Sequence, residues 1–331
     1  DVQLHQQVWQ ERIALWTQRH NETVMNHSRD MTQQAMLLAQ LIARDSDVLA
    51  LVREAQQHFV AERGRLSAPL TSAARDKLRL KLDDYWLGMH DLGVPRLSIY
   101  VAPGAISFLR MHLPERAGDS VGAVRPMIQQ TFSSGLPSWG LDIARSGSGP
   151  SAVLPIMANA DQTGAVVAVL EVGMASLAQG SAISDIHIAT FLQKNAVEQL
   201  LWDSARQNLH RANPTTVEDW RLESTNDPQL HDWWNRGKIA VNRQGQLLRH
   251  GQQVHLASWI PIMQVGVPLA ESPMAALVWH DISADYSRYQ ATITRVIAKW
   301  SAALAVALLL LAGALIFSLI IGVGLAYLRS N

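Results

Sequence analysis

The chain has 331 residues, 48% of them hydrophobic and 17% charged, enough for two modest globular cores rather than one. Lysine plus arginine balances aspartate plus glutamate at 28 each, so no net field points to nucleic acid. The absence of cysteine removes disulfide scaffolds, thiol catalysis and thiolate metal sites together.

The chain begins at Asp1 without a methionine, and an earlier membrane helix is expected ahead of it. Asp1 to Arg44 lacks Pro and Gly and sets Trp9, Ile13, Trp16, His20, Val24, Met31, Ala35, Leu38 and Ile42 on one stripe, which predicts a single helix. At 1.5 Å per residue it is roughly 65 Å long, so residues 1–45 read as a stalk that also packs on the first domain. Asp45-Ser46-Asp47 offers a cap for a second helix carrying Val48, Val52, Ala55 and Phe59. Thr71-Ser72 is read as the cap of a third, carrying Leu78, Leu82, Tyr85 and Met89 and ended by Gly93.

Beyond Gly93, short apolar runs separated by turn signals predict an antiparallel sheet. Strands are expected at Leu97–Val101, Ala105–His112, Trp139–Arg145, Ser151–Ala158 and Ala165–Met174. Pro103-Gly104, Ser146-Gly147-Ser148-Gly149 and Asp161-Gln162-Thr163-Gly164 are read as the turns. One helix, near Val121–Ser134, has Pro126 in its first turn, where a missing N–H costs nothing. A second, smaller helix-and-sheet pattern follows. Ser184-Asp185 is read as starting a helix to about Lys194, Val197–Trp202 as a strand or its continuation, and Arg211–Trp234 as loop with short helical pieces. Strands are expected at Lys238–Asn242, Gln246–Leu248, Val254–Met263 and Ala275–Ile282.

From Trp300 to Leu328 no residue is charged, and the run exceeds the roughly 20 residues that span a bilayer core. Lys299 and Arg329 bracket it, and Trp300 and Tyr327 lie near its ends, as interfacial residues do. A plain anchor accounts for such a span. Two patterns favour a transmitting dimer: Ala314, Ser318, Gly322 and Ala326 form a small-residue stripe, and Tyr289, Ile293, Val296 and Trp300 repeat at 4-3-4 spacing into the membrane. The expected organisation is a stalk (1–45), a membrane-distal module (46–180), a membrane-proximal module (181–284), a signalling helix (285–299) and a transmembrane helix (300–328).

The segment SFLRMHLPERAGD at residues 107–119, followed by Arg125-Pro126, Gly140-Leu141-Asp142, Val153–Pro155 and Val169-Leu170-Glu171-Val172-Gly173, resembles the first module of double Cache sensor domains of the dCache_3 kind. Ala275–Ile282, running into Tyr286 and then the apolar helix, is similar to the end of their second module. The resemblance implies an α+β fold: a long stalk helix, two PAS-like modules with antiparallel sheets, and a C-terminal transmembrane helix. It further implies a dimeric sensor in a bacterial inner membrane, residues 1–299 in the periplasm, with a small ligand in the distal module and a cytoplasmic output, a diguanylate cyclase by family frequency. The alternative is a module that docks a periplasmic binding protein and controls a histidine kinase. The amino-acid-binding motif of better characterised double Cache receptors is not evident here.

By strand alternation Phe108, Arg110 and His112 share one face, where a cation and an imidazole can meet an anionic ligand; bracing against Glu115 or Asp119 is the competing role. Arg125, Trp139, Asp142 and Arg145 form a second ligand-binding set, the indole as a flat wall and the carboxylate as an acceptor for an amine. Glu171 is assigned a fold-holding hydrogen bond. The twelve histidines show no ligand spacing, with His250 and His255 read as exposed, and no phosphate loop, nucleophile elbow or zinc-helix motif occurs, so no cofactor, metal site or catalytic constellation is expected.

Overall fold

The structure, a computed structural model, describes residues 2–179 and 185–330. Asp1, the expected helix start at Ser184 and the division between residues 180 and 181 lie outside the described residues.

Helix α1 spans Val2–Ile42, as its unbroken stripe requires, and buries Trp9, His20, Val24, Met31, Ala35 and Ile42. Helix α2 (Ser46–Ala61) is capped by Asp45, whose carboxylate accepts the N–H groups of Asp47 and Val48. Helix α3 (Pro69–Asp91) starts earlier than expected: Pro69 presets the first turn, and Thr71, read as a cap, instead donates its N–H and hydroxyl to Glu62.

The first sheet is antiparallel, with strands β1 (Arg96–Val101), β2 (Ile106–Arg110), β3 (Ser138–Ala144), β4 (Gly147–Met157) and β5 (Val166–Gly173) in the order β2-β1-β5-β4-β3. Helix α4 (Pro126–Ser134) intervenes between β2 and β3, with Pro126 in its first turn. Two expectations fail locally. Gly147-Ser148-Gly149 lies inside β4 rather than in the turn, which tightens to Arg145-Ser146; a Cβ at Gly149 would meet Met174 O at 2.6 Å. A register shift opposite Ile99 and Tyr100 pairs Ser107 with Tyr100 and Leu109 with Ile99. Phe108 therefore faces Phe59 of α2, and Arg110 faces the other side.

The second sheet takes β6 (His187–Gln193), then after helices α5 (Lys194–Leu200) and α6 (Asp203–Ala212) the strands β7 (Thr216–Val217) and β8 (Trp220–Thr225), then helix α7 (Gln229–Asn235) and strands β9 (Gln246–His250), β10 (Gln253–Ile262) and β11 (Met274–Asp281). Its order is β7-β8-β6-β11-β10-β9. The helix expected up to Lys194 is β6: residues 188–192 are all buried, so both faces are apolar and alternation vanishes. The stretch 211–234 is not loop but supplies a neighbour of β6 and a helix. No strand forms at Lys238–Asn242, because the Gln246 side-chain amide takes both the N–H and the carbonyl of Ala240 in place of a ladder.

Alternate residues of both sheets share one continuous apolar core under α1–α3, from Leu97, Ile99 and Leu170 to Ile188, Ile262 and Val278. Helix α8 then runs unbroken from Ser283 to Ser330. Its portion up to Val323 is long and apolar enough to cross a membrane, and Trp300–Val323 is exposed throughout.

Candidate functional site

The face of the first sheet turned away from α1 divides into an apolar half and a charged half. Val153, Val169 and the Tyr100 ring pack against Met127 and Ile128 of α4, which plugs one end. At the other end Arg96, Ser98, Asp142 and Glu171 project to the same side, because 96, 98 and 100 alternate with the core residues 97, 99 and 101, as 142 does with 141 and 143. Arg125, at the residue before α4, is carried into the middle of this face by the helix behind it.

Arg125 donates from Nε to Asp142 at 2.8 Å and from Nη2 to Glu171 at 2.5 Å; all three are buried. The Tyr100 hydroxyl donates to the second Glu171 oxygen at 2.8 Å, and Asp142 Oδ1 accepts from the Ile143 N–H at 2.8 Å and from Gln264 Nε2 at 3.0 Å. Burial pushes the Glu171 carboxyl up, but the Arg125 and Arg96 guanidiniums outweigh it and hold it at about 2. Burial also opposes the charge on Arg125, yet Glu171 and Asp142 keep its pKa well above the ordinary value. Tyr100 is pushed up to about 12, first by burial and then by Glu171. Glu171 thus fills a structural role, joined to a charged network rather than to a single partner.

Arg110 grips Asp119 through two bonds of 2.7 and 3.0 Å, which braces the loop 113–119. Trp202, from the segment between α5 and α6, covers this group: its ring lies 4.7 Å from the Arg110 guanidinium and 5.1 Å from that of Arg116. The Trp202 backbone N–H donates to Arg145 O at 2.8 Å, and Arg145 Nη1 donates to Leu200 O at 3.1 Å. The cavity left among Arg96, Tyr100, Arg110, His112, Glu171 and Trp202 holds about 10 Å³, room for a single water. His112 beside it is pulled down to about 4 by burial and then by Arg96, so it is neutral there.

Of the residues singled out in the sequence, Arg110, His112, Arg125, Asp142 and Arg145 converge on this group. Trp139 does not: it sits on the opposite face of β3, with Leu141 and Ile143, and is 57% exposed. Trp202 supplies the aromatic wall instead, and nothing local marks it, since its place depends on how α5 packs. Arg96 and Tyr100 were also missed, although period-two counting along β1 finds both. His255, expected to be exposed, is buried under the Trp233 ring at 5.0 Å.

The stalk and the exit helix are fastened together. Trp9 stacks on Tyr289 of α8 at 4.6 Å and 13°, and Arg12 pairs with Asp285 at 2.9 Å. His20 Nε2 lies 2.7 Å from His280 Nδ1 at the end of β11, and His20 Nδ1 lies 3.0 Å from Ser258 Oγ. Tyr289, read as the first member of a dimer seam, is therefore occupied within its own chain. Ile293 and Val296 are half-buried, while Trp300, Ala314, Ser318 and Gly322 stand free.

A comparison with curated proteins returns no match. Among solved structures, the sensor domain of the Vibrio cholerae histidine kinase DctB is similar at 12% identity and a TM-score of 0.44, covering 82% of this chain and 98% of that one. The periplasmic domain of Chlamydia trachomatis RsbU aligns at 14% identity and a TM-score of 0.33, over 82% and 98% of the two chains. The ligand-binding domain of the Pseudomonas aeruginosa amino-acid chemoreceptor PctB, in complex with L-Arg, aligns at 11% identity and a TM-score of 0.29, over 83% and 99%. The model of the dCache_3 family, the double sensory domain of two-component sensor kinases, matches residues 27–235, more than half of the sequence, and the chain belongs to that family.

Proposed function

We propose that this chain is the extracytoplasmic ligand-sensing region of a dimeric membrane receptor, in which the charged group of the first module answers a small ligand and α8 carries the response inward. The observation that carries this reading is the unbroken backbone from β11 through α8, clamped to α1 by Trp9 and Tyr289. A stiff rod transmits displacement and rotation, which a flexible tether absorbs. Trp202 supplies the link from the site: it covers Arg110, and its segment connects through α5 to β6, the neighbour of β11. A ligand that binds with Trp202 displaced favours one arrangement over the other, as differential affinity requires. The output on the far side is read as a diguanylate cyclase, and the histidine-kinase reading with a docked binding protein is the alternative. The family's description as part of two-component sensor kinases keeps that alternative in play.

The absence of native cysteine makes the dimer directly testable. Single cysteines at Ile293, Val296 and Ile297 of the full chain in native membranes are oxidised and resolved by electrophoresis. Strong cross-linking at 293 and 296 with little at 297 is expected, and equal, weak cross-linking at all three rejects the helical dimer.

A further inference from the structure

A second, larger opening lies between the two sheets, a cleft of ≈ 580 Å³. Arg96, His112 and Ser148 form its wall on the first sheet, Glu223 and Ser224 of β8 the wall on the second, and Asn208 of α6 stands at its roof. Arg96 borders both this cleft and the small closed cavity.

The unusual group is Arg96. It is 6% exposed, yet among the described residues it makes no ion pair; Nη2 reaches Ser151 Oγ at 3.4 Å, and Nε has no partner. The other buried guanidiniums facing this side are matched, Arg110 by Asp119 and Arg125 by Asp142 and Glu171. Glu171 favours the Arg96 charge but makes no bond to it, its oxygens being bonded to Arg125 and Tyr100. The position is built rather than accidental: the guanidinium lies against Gly173 across the ladder, where a Cβ would stand 2.5 Å from Nε. Burial lowers the Arg96 pKa, although the nearby Glu171 and Asp142 carboxylates favour its charge, and a buried guanidinium with an unbonded N–H is costly. Glu223 makes no ion pair with it; its carboxylate accepts the Ser148 N–H at 2.6 Å, the Ser148 hydroxyl and the Thr190 hydroxyl at 3.1 Å. Ser176 and Ser224, with hydroxyls 2.6 Å apart, add exchangeable donors and acceptors to the same cleft.

We propose that the inter-sheet cleft binds a small hydroxycarboxylate, its carboxylate on Arg96 and its hydroxyl at Ser176 and Ser224. A guanidinium and a carboxylate match as a two-bond fork, and the bound anion supplies the acceptors that Arg96 lacks. The cleft adjoins the small cavity, sharing Arg96, His112, Ser146 and Trp202 with it, and its occupancy does not depend on the signalling role proposed above.

The full 331-residue chain in nanodiscs is titrated with L-lactate, and with lactamide as the neutral isostere, following tryptophan fluorescence and Tm. Lactate is expected to saturate and raise Tm, and lactamide to do neither. Arg96→Met is expected to weaken lactate binding by more than about ten-fold, with its ligand-free Tm measured alongside to establish folding. Asn208→Trp, an exposed position on α6, fills the cleft without touching the buried charges and gives the same loss even where Arg96→Met does not fold. No saturable lactate response, an equal response to lactamide, or unchanged lactate affinity in either folded variant overturns the assignment.

Discussion

The two sheets are built alike and filled differently. Each presents one face to the shared core along α1, and each covers part of its other face with a short helix, α4 on the first sheet and α7 on the second. On the second sheet that outer face is solid: Phe191, Trp220, Trp259 and Trp279 interlock with Trp233 and Trp234 of α7, ring centroids 4.7 to 6.1 Å apart. On the first sheet the corresponding region holds Arg96, Asp142 and Glu171 around Arg125. Packed rings contribute through area and tolerate little change of shape. A buried ion cluster is close to neutral in net stability, because desolvation offsets attraction, so its arrangement depends on which charges are present. The same scaffold thus yields an aromatic-packed base next to α8 and an electrostatically poised module earlier in the chain.

The sharpest way to break this contrast is Arg125→Ala. It strands Asp142 and Glu171 in the interior and is expected to cost about 3–5 kcal/mol in urea unfolding. A triple change, Arg125→Met with Asp142→Leu and Glu171→Met, is expected to recover most of that loss. If Arg125→Ala costs less than about 1 kcal/mol, the first sheet behaves as an ordinary apolar core and the comparison fails.

The second test uses pH, because His20 and Glu171 titrate over different, partly overlapping ranges. His20, between α1 and the second sheet, is held near 3 by burial and then by His280 and Arg19, against an ordinary 6.5. The unfolded chain takes up that proton first, so stability is complete above about 6.5 and falls as pH drops towards 3. Glu171, at about 2 against an ordinary 4.5, contributes fully above 4.5 and loses its contribution only as pH falls from there towards 2. His20→Gln is expected to reduce the slope above 4.5, where Glu171 contributes none, and Glu171→Gln the slope below 4.5, measured by unfolding at a series of pH values. Identical pH profiles for the two variants contradict the separation.

The smallest effect concerns polar handles. The Tyr100 hydroxyl serves a buried carboxylate, so Tyr100→Phe is expected to cost about 1.5–3 kcal/mol. The Trp259 indole N–H has no acceptor among the described residues, so Trp259→Phe is expected to cost roughly 1–2 kcal/mol through lost area. Thermal or urea unfolding of the pair separates the two kinds of interior; a larger loss at Trp259 than at Tyr100 inverts the comparison.

The stripe of α1 was legible from its helical period, α2 from the Asp45 cap, the strands of the first sheet from apolar runs set between turn residues, and the apolar end of α8 from its length without charge. The reading failed where those signals mislead or where side chains replace the ladder. β6 has apolar residues on both faces and a helix-start signal just before it, and β8 hides between turn-forming residues. The candidate site followed the same division. Arg110, Arg125 and Asp142 stand out as charges in strand-rich sequence, but a bulge at Phe108 and the parity of β3 decided that Phe108 and Trp139 leave the group.

The amino-acid order alone determined the stalk, the alternation of the first sheet and a membrane-length helix, because those depend on the polarity of neighbours three, four or two residues apart. Only the tertiary structure decided that Trp202 covers the small cavity, that Trp9 holds Tyr289, and that Arg96 Nε remains without a hydrogen-bond partner. Such facts rest on which distant segments come within a few ångströms, and on which carboxylates are already taken when they arrive.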